Sequence, residues 1–204
     1  MTVSAPERSL SFRPATPADV PVLLPLIRSA YRGESSRKGW TTEADLVADK
    51  RIDEAGLLAK IAEPEGVVLL VTDASPASSH SPTAAAAAAT TTTTTTAPLA
   101  CCEIARSKTD HAVAYFGLFA VDPAQQAGGV GRAVLAYAEA FARRAWGARR
   151  LEMCVIWTRA ELIAWYERRG YAKTGERREF PYKELVGGEA LRDDLWFEVL
   201  KKDL

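Results

Sequence analysis

Residues Val121 to Arg132 read Val-Asp-Pro-Ala-Gln-Gln-Ala-Gly-Gly-Val-Gly-Arg, and this stretch constrains the fold more than any other. The apolar run Ala114–Val121 leads into it and stops at the turn residues Asp122-Pro123. Past the glycines, Val130, Val134, Tyr137, Ala138 and Phe141 recur at helical spacing. The pattern is strand, glycine-rich bend, helix. Glycines at the mouth of a helix let backbone N–H groups close on an anion, and the helix dipole favours negative charge there. Such a bend suits a phosphate-bearing ligand. A dinucleotide fingerprint needs G-x-G-x-x-G and a Walker loop ends in Gly-Lys-Ser/Thr; neither occurs here. The plain alternative is an ordinary strand–turn–helix connection.

The chain has 204 residues, enough for one domain with a full core or for one domain carrying an insertion. Lysine plus arginine and aspartate plus glutamate both number 26, so the formal net charge is zero. That balance argues against a nucleic-acid partner, which needs a basic face to neutralise phosphates. The opening residues, Met-Thr-Val-Ser-Ala-Pro-Glu-Arg, hold no apolar core of signal-peptide kind, and no apolar run approaches membrane-spanning length. Cys101, Cys102 and Cys154 are odd in number and stand in strand-like surroundings, which reads as reduced thiols in a cytoplasmic protein. His80 and His111 have no Cys or His partner at zinc-ligand spacing, so no metal is expected.

Along the chain, Ser11–Pro14 reads as a first strand, and Thr16-Pro17-Ala18-Asp19 as a capped helix start. Val20, Leu23, Leu24, Ile27 and Tyr31 give that helix an apolar face, and Pro25 is expected to bend or shorten it. Tyr31–Thr42 reads as a polar loop, and a second helical stretch, broken near Ile52-Asp53, continues to Ile61. Gly66–Thr72 is a strand. Six consecutive alanines and seven consecutive threonines then mark residues 75–97 as a low-complexity, disordered insertion in the turn between two antiparallel strands. A regulatory or substrate-gating loop is the functional alternative there. Leu99–Ala105 and Ala112–Val121 pair as a hairpin, and the helix after the glycines ends at Gly147. Arg150–Ile156 is a strand, Thr158-Arg159-Ala160-Glu161 has capping-box spacing for a helix closed by Gly170, and strands begin at Tyr171 and Leu195.

Gln126-Ala127-Gly128-Gly129-Val130-Gly131 fits the signature Q/R-x-x-G-x-G/A, and the chain resembles the GNAT superfamily of acyl-CoA-dependent N-acyltransferases. A second block, Trp157–Tyr171, is similar to that family's N-x-x-A-x-x-x-Y-E-x-x-G-F/Y, with Tyr166-Glu167, Gly170 and Tyr171 in register. The resemblance implies one α/β domain with a mixed, mostly antiparallel central sheet flanked by helices. It also implies that Phe119, Ala120 and Val121 pair through their backbones with pantetheine amides of acetyl-CoA. Gln126, Ala127, Gly128, Gly129, Val130, Gly131 and Arg132 would hold its pyrophosphate. Ala127 and Gly128 stand where many relatives carry glycine and arginine. The family's asparagine falls at Arg159, which either contacts the cofactor or projects into solvent, and its alanine falls at Leu162.

In that family the tyrosine matched by Tyr166 protonates the departing thiolate, a task suited to a hydroxyl near pKa ~10. The general base is less defined. Glu103 and Glu152 both alternate with apolar neighbours, so either could point into a central cleft, the alternative being exposure on a sheet face. No carboxylate occurs in the strand before the glycine bend, where several family members place theirs. The resemblance puts Tyr31–Thr42 over the acceptor, making Tyr31, Glu34 and Trp40 substrate candidates. Glu34 would meet an amine, and Arg32 or Arg37 a carboxylate or phosphate.

The expected function is N-acetylation of a primary amine of a small molecule by direct transfer from acetyl-CoA in a ternary complex, by a monomer or homodimer with no metal and no membrane partner. The rival readings are acetylation of a protein lysine or N-terminus, and a non-catalytic acyl-CoA-binding regulator.

Overall fold

The computed structural model describes residues 8–74 and 97–204; but for Ala97, the insertion expected at 75–97 lies outside them. The strand β3 (Gly66–Asp73) dictates the layering. Its Val68-Leu69-Leu70-Val71 core is apolar at consecutive positions, and all four are buried. Side chains alternate across a strand, so such a run needs an apolar layer on each face of the sheet. Val68 and Leu70 share one layer with Leu23 and Ile27 of α1 (Val20–Tyr31) and Leu57 of α3 (Glu54–Ile61). Leu69 and Val71 share the other with Val134 and Ala138 of α4 (Val130–Trp146) and Leu162 and Tyr166 of α5 (Ala160–Glu167). Each aliphatic side chain so removed from water contributes about 1.5–3 kcal/mol.

Around β3 runs a seven-stranded sheet in the order β1-β3-β4-β5-β6-β9-β7. The added members are β1 (Leu10–Pro14), β4 (Ala100–Arg106), β5 (Val113–Val121), β6 (Arg150–Ile156), β7 (Ala172–Glu179) and β9 (Trp196–Asp203). Every neighbouring pair is antiparallel except β5 and β6. These two are parallel and joined by α4, the crossover a parallel pair requires. They pair only at Val113–Arg150, Ala114–Leu151 and Tyr115–Glu152, and then part. On its other edge β5 carries an extra residue: Cys101 faces Ala120 while Glu103 faces Gly117. Leu118, inside that bulge, has φ +44°, and a bulge of this kind bends its strand. The bend turns the end of β5 away from β6.

A two-residue ladder joins β2 (Val47–Ala48) to β8 (Glu189–Ala190), and one turn of helix, α2 (Gly33–Ser36), interrupts the expected Tyr31–Thr42 loop. Among the described residues no helix is long and apolar enough to cross a membrane.

Three local expectations are corrected. The helix α1 runs unbroken through Pro25, because that ring sits on the exposed face and only one early ladder bond is forfeited. The second helical stretch covers Glu54–Ile61 alone. Asp53 caps it by accepting the Gly56 amide at 2.8 Å, and Arg51, at φ +63°, cannot be helical. The capping box at Thr158 does not form. Arg159 is the N-cap residue of α5, and the Thr158 hydroxyl is buried without a partner.

Leu151 is fully buried on β6, in the layer beneath α4. Leu151→Ala is expected to lower unfolding free energy by about 2–5 kcal/mol in denaturant titration, with an unchanged m-value.

Candidate active site

Where β5 and β6 part, a cavity of about 630 Å³ opens, walled by Tyr115–Phe119 on one side and Met153–Ile156 on the other. It runs from the N-terminus of α4 to the segment following α1.

At the α4 end, Gly129 is the N-cap residue at φ +85°, and Ala127 is held at φ +65°, uncommon for a residue with a side chain. The first intrahelical bond is the Ala133 amide to the Gly129 carbonyl, so the amides of Val130, Gly131 and Arg132 have no acceptor within the helix. A Cβ on Gly131 would sit in ordinary van der Waals contact with Phe119 and Trp165, at 3.4 and 3.6 Å, so both rings border the helix mouth. Arg169 stacks over Trp165, 3.6 Å from the ring centre, and donates to its carbonyl at 2.6 Å. Its buried Nε has no partner. Burial, followed by the like charges of Arg168 and Arg132, pulls its pKa down. Three unpaired amides, an orphaned Nε and mutually repelling arginines form a cradle that an anion would satisfy. These residues fit the diphosphate of coenzyme A.

The expected cofactor residues divide. Phe119, Val121, Gln126, Ala127, Gly128, Gly129, Gly131, Arg132, Arg159 and Tyr166 all line the cavity. The side chains of Ala120 and Val130 do not: both are buried in the core on either side of the sheet. Strand-like pairing with β5 also meets prior occupants. The Phe119 carbonyl accepts the Tyr31 hydroxyl at 2.9 Å, and the Val121 carbonyl accepts Gln126 Nε2 at 3.3 Å. A carbonyl has two lone pairs, so each can still take a second donor. Gln126 Oε1 accepts the Trp40 amide at 3.0 Å and packs against Gly39, which straps the Trp40 loop to the glycine bend.

Tyr166 is 4% exposed and packs edge-on against Trp165 and Tyr171. Burial, with a smaller push from Tyr31, raises its hydroxyl well above the ordinary value near 10. It is therefore a proton holder at neutral pH. Cys154 also lines the cavity, but burial raises its thiol as well, which disfavours a nucleophilic role.

The base candidates are corrected. Neither Glu103 nor Glu152 lines the cavity. Both Glu103 oxygens accept from Lys60 of α3, at 2.8 and 2.7 Å, and Glu152 is bound by Arg178 at 2.6 Å and Lys201 at 2.9 Å. Both are buried, but each carboxylate is paired with basic side chains and lies off the cavity wall. Glu34 is corrected too. It is exposed, pairs with Arg37 at 2.9 Å and stays off the cavity wall, whereas Tyr31 and Trp40 line it.

Sequence reasoning missed the far end of the cavity. There Glu43, 6% exposed, binds Arg32 and Arg159 at 2.5 Å each, and Arg159 also donates to Thr41 at 2.8 Å. Arg159 is thus neither in solvent nor available to a phosphate through those nitrogens. Burial alone would raise the Glu43 carboxyl, but Arg159, Arg32 and Arg51 outweigh it and hold it below its ordinary value of 4.5. Only Arg159, at the asparagine position, gave any warning of this network in the sequence.

The fold is matched by known proteins. A family model described as the acetyltransferase (GNAT) family matches residues 75–171. Spermidine N-acetyltransferase from Vibrio cholerae, solved with CoA and spermine, superposes with a TM-score of 0.60 at 14% identity, over 95% of this chain and 94% of that one. A GCN5-related N-acetyltransferase from Kribbella flavida gives 0.59 at 18% identity, covering 96% and 98%. Nourseothricin acetyltransferase gives 0.59 at 15%, covering 96% and 98%. No curated protein sequence matches the chain.

Removing the Glu43 charge leaves Arg32 and Arg159 facing each other, so Glu43→Gln is expected to destabilise the fold by about 3–5 kcal/mol at pH 7. Because the folded pKa is depressed, the stabilisation by Glu43 is complete above pH 4.5 and is lost as pH falls through the lower folded value. Thermal melts across pH 7 to 3 should show a shallower acid decline in the variant than in the parent.

Proposed function

We propose that the chain is an acetyltransferase of the GNAT family, and that it transfers the acetyl group of acetyl-CoA to a primary amine of a small molecule, directly and in a ternary complex. The observation that carries this reading is the juxtaposition of three things in one cavity: the open end of α4, the parted edge of β5, and the buried hydroxyl of Tyr166. Acetyl-CoA would supply an acyl carbon already activated by a thiolate leaving group.

The amides of Val130, Gly131 and Arg132, with Arg169 behind them, hold the diphosphate by charge-assisted hydrogen bonds. The β5 edge at Phe119–Val121 orients the pantetheine arm along the wedge. Tyr166 keeps its proton at neutral pH and delivers it from its hydroxyl oxygen to the departing sulfur. The ammonium of the acceptor must first lose a proton. Glu43 and Asp49, the two buried carboxylates of the wall, are held by Arg32 and are poor bases. Glu184 lines the exposed mouth with no ion pair among the described residues, and the proton leaves by that route.

The Gln126 strap favours a small molecule over a peptide. It holds the Trp40 loop against the glycine bend, so the cavity is walled there instead of open as a groove. The thiols of Cys101 and Cys102 are buried and form no disulfide, which fits a protein working in the cytoplasm.

Free-thiol release from acetyl-CoA across a panel of amines tests the assignment. Turnover of at least one small amine is expected, whereas tight CoA binding with no thiol release on any acceptor would support a regulator instead. Tyr166→Phe should lower kcat by roughly 10²–10⁴ while changing CoA affinity only a few-fold. Unaltered turnover would remove Tyr166 from the chemistry.

A further inference from the structure

The acceptor end of the cavity carries three guanidinium groups, Arg32, Arg51 and Arg159, beside two buried carboxylates, Glu43 and Asp49. Their pairing is uneven. Arg32 bridges both carboxylates, at 2.5 Å to Glu43 and 2.6 Å to Asp49, and Arg159 takes the other oxygen of Glu43. Asp49 also accepts the main-chain amides of Arg51 at 2.9 Å and Val186 at 3.2 Å. Both carboxylates are thereby fully engaged. The guanidinium of Arg51 makes no hydrogen bond and no ion pair among the described residues; it lies over the Tyr31 ring, 5.0 Å from its centre.

This arginine is also held in place. Its φ of +63° is a conformation that side-chain-bearing residues rarely adopt. The Asp49 cap and the Lys50 amide, which donates to the Val186 carbonyl at 2.9 Å, fix the segment on both sides. The one other carboxylate of the wall, Glu184, is exposed at the mouth, outside ion-pair distance of Arg51 and in water that screens it. The acceptor end therefore sets three guanidiniums against two buried carboxylates, and Arg51, although Glu43 and Asp49 lie near enough to favour its charge, is the one left without an ion pair or hydrogen bond among the described residues. Leaving such a charge unmet is unfavourable, and a planar guanidinium presents a fork that matches a carboxylate.

We propose that the acceptor is an amine that also carries a carboxylate, an amino acid in chemical class, and that Arg51 receives the carboxylate while the amine faces the wedge between β5 and β6. The inference rests on the acetyl-transfer reading given above. In the transfer, the amine nitrogen bonds to the acetyl carbon as the carbon–sulfur bond breaks. Tyr166 protonates the sulfur and regains a proton from the two that the nitrogen gives up, the other passes to solvent, and the carboxylate stays bound to Arg51 unchanged. The same excess of positive charge disfavours acceptors with two or more ammonium groups, which would be repelled by Arg51 without gaining a free buried carboxylate.

The test compares amino acids with partners of the same skeleton that lack the anion, namely their carboxamides and their decarboxylated amines, together with a polyamine. Binding is read by calorimetry on the CoA-saturated protein and turnover by thiol release. The expected result is that carboxylate-bearing amines bind and react with kcat/KM about 10- to 100-fold above their amides, with the difference mainly in KM, as loss of a charged hydrogen-bonding pair would give. Arg51→Gln should collapse that ratio towards unity, and Arg51→Lys, which keeps the charge without the fork, should retain part of it. If amides, decarboxylated amines or the polyamine match or exceed the amino acids in the unaltered protein, the inference is overturned whatever the variants do. CoA uptake without binding of any carboxylate-bearing amine overturns it as well. Failure to take up CoA, by contrast, strikes the acetyl-transfer reading itself.

Discussion

The parting of β5 from β6 after three residue pairs is the constraint on which the rest of the site depends. Had the ladder continued, backbone groups of Leu118–Val121 would be satisfied by β6, and the sheet would be closed where the cavity now lies. The bulge at Leu118 provides the bend, and α4 provides the parallel connection that brings its own N-terminus back to the end of β5. One local distortion thus sets a strand edge that β6 does not pair beside three unpaired helix amides. Both are backbone features, so the chemistry they offer depends on chain geometry more than on particular side chains.

Electrostatics then divide the cavity. Its α4 end has amides and arginines with no carboxylate among them, and the mutual repulsion of Arg132, Arg168 and Arg169 is relieved when an anion arrives. Its other end is a dense, nearly self-satisfied network of Arg32, Glu43, Asp49 and Arg159. Breaking a buried network of this kind is far more damaging than its net contribution to stability suggests, because the surviving partners are left charged and dry. Between the two ends stands Tyr166, kept neutral by the burial that also packs it among Trp165 and Tyr171. Neutral hydroxyl, unpaired amides and charged wall are each products of a different local environment within one cavity.

How much of this was legible in the sequence follows from the range over which each feature is determined. The strand–bend–helix unit at Val121–Arg132 is local, and the continuous apolar run of β3 announces a sheet covered on both faces. Alternation left open whether Glu103 and Glu152 face a cleft or a sheet surface, and both are buried. It could not show that Lys60, Arg178 and Lys201, from other elements, arrive to neutralise them. Glu43, Asp49 and Arg51 lie in a stretch expected to be largely helical. Its actual shape is set by contacts with Val186 and by the β2–β8 ladder, far along the chain. Pro25 shows the converse: a strong local rule overridden because its ring could be turned to solvent while Leu23, Leu26 and Ile27 packed inward.

The central claim is that the mouth of α4 grips a diphosphate at the end of a pantetheine-lined wedge. Calorimetric titration of the purified protein with CoA, and in parallel with pantetheine, which shares the arm but lacks the phosphates, examines it most directly. The account predicts one CoA bound per chain and a large loss of affinity for pantetheine. Equal affinity for the two, or no heat of binding with CoA, would contradict it.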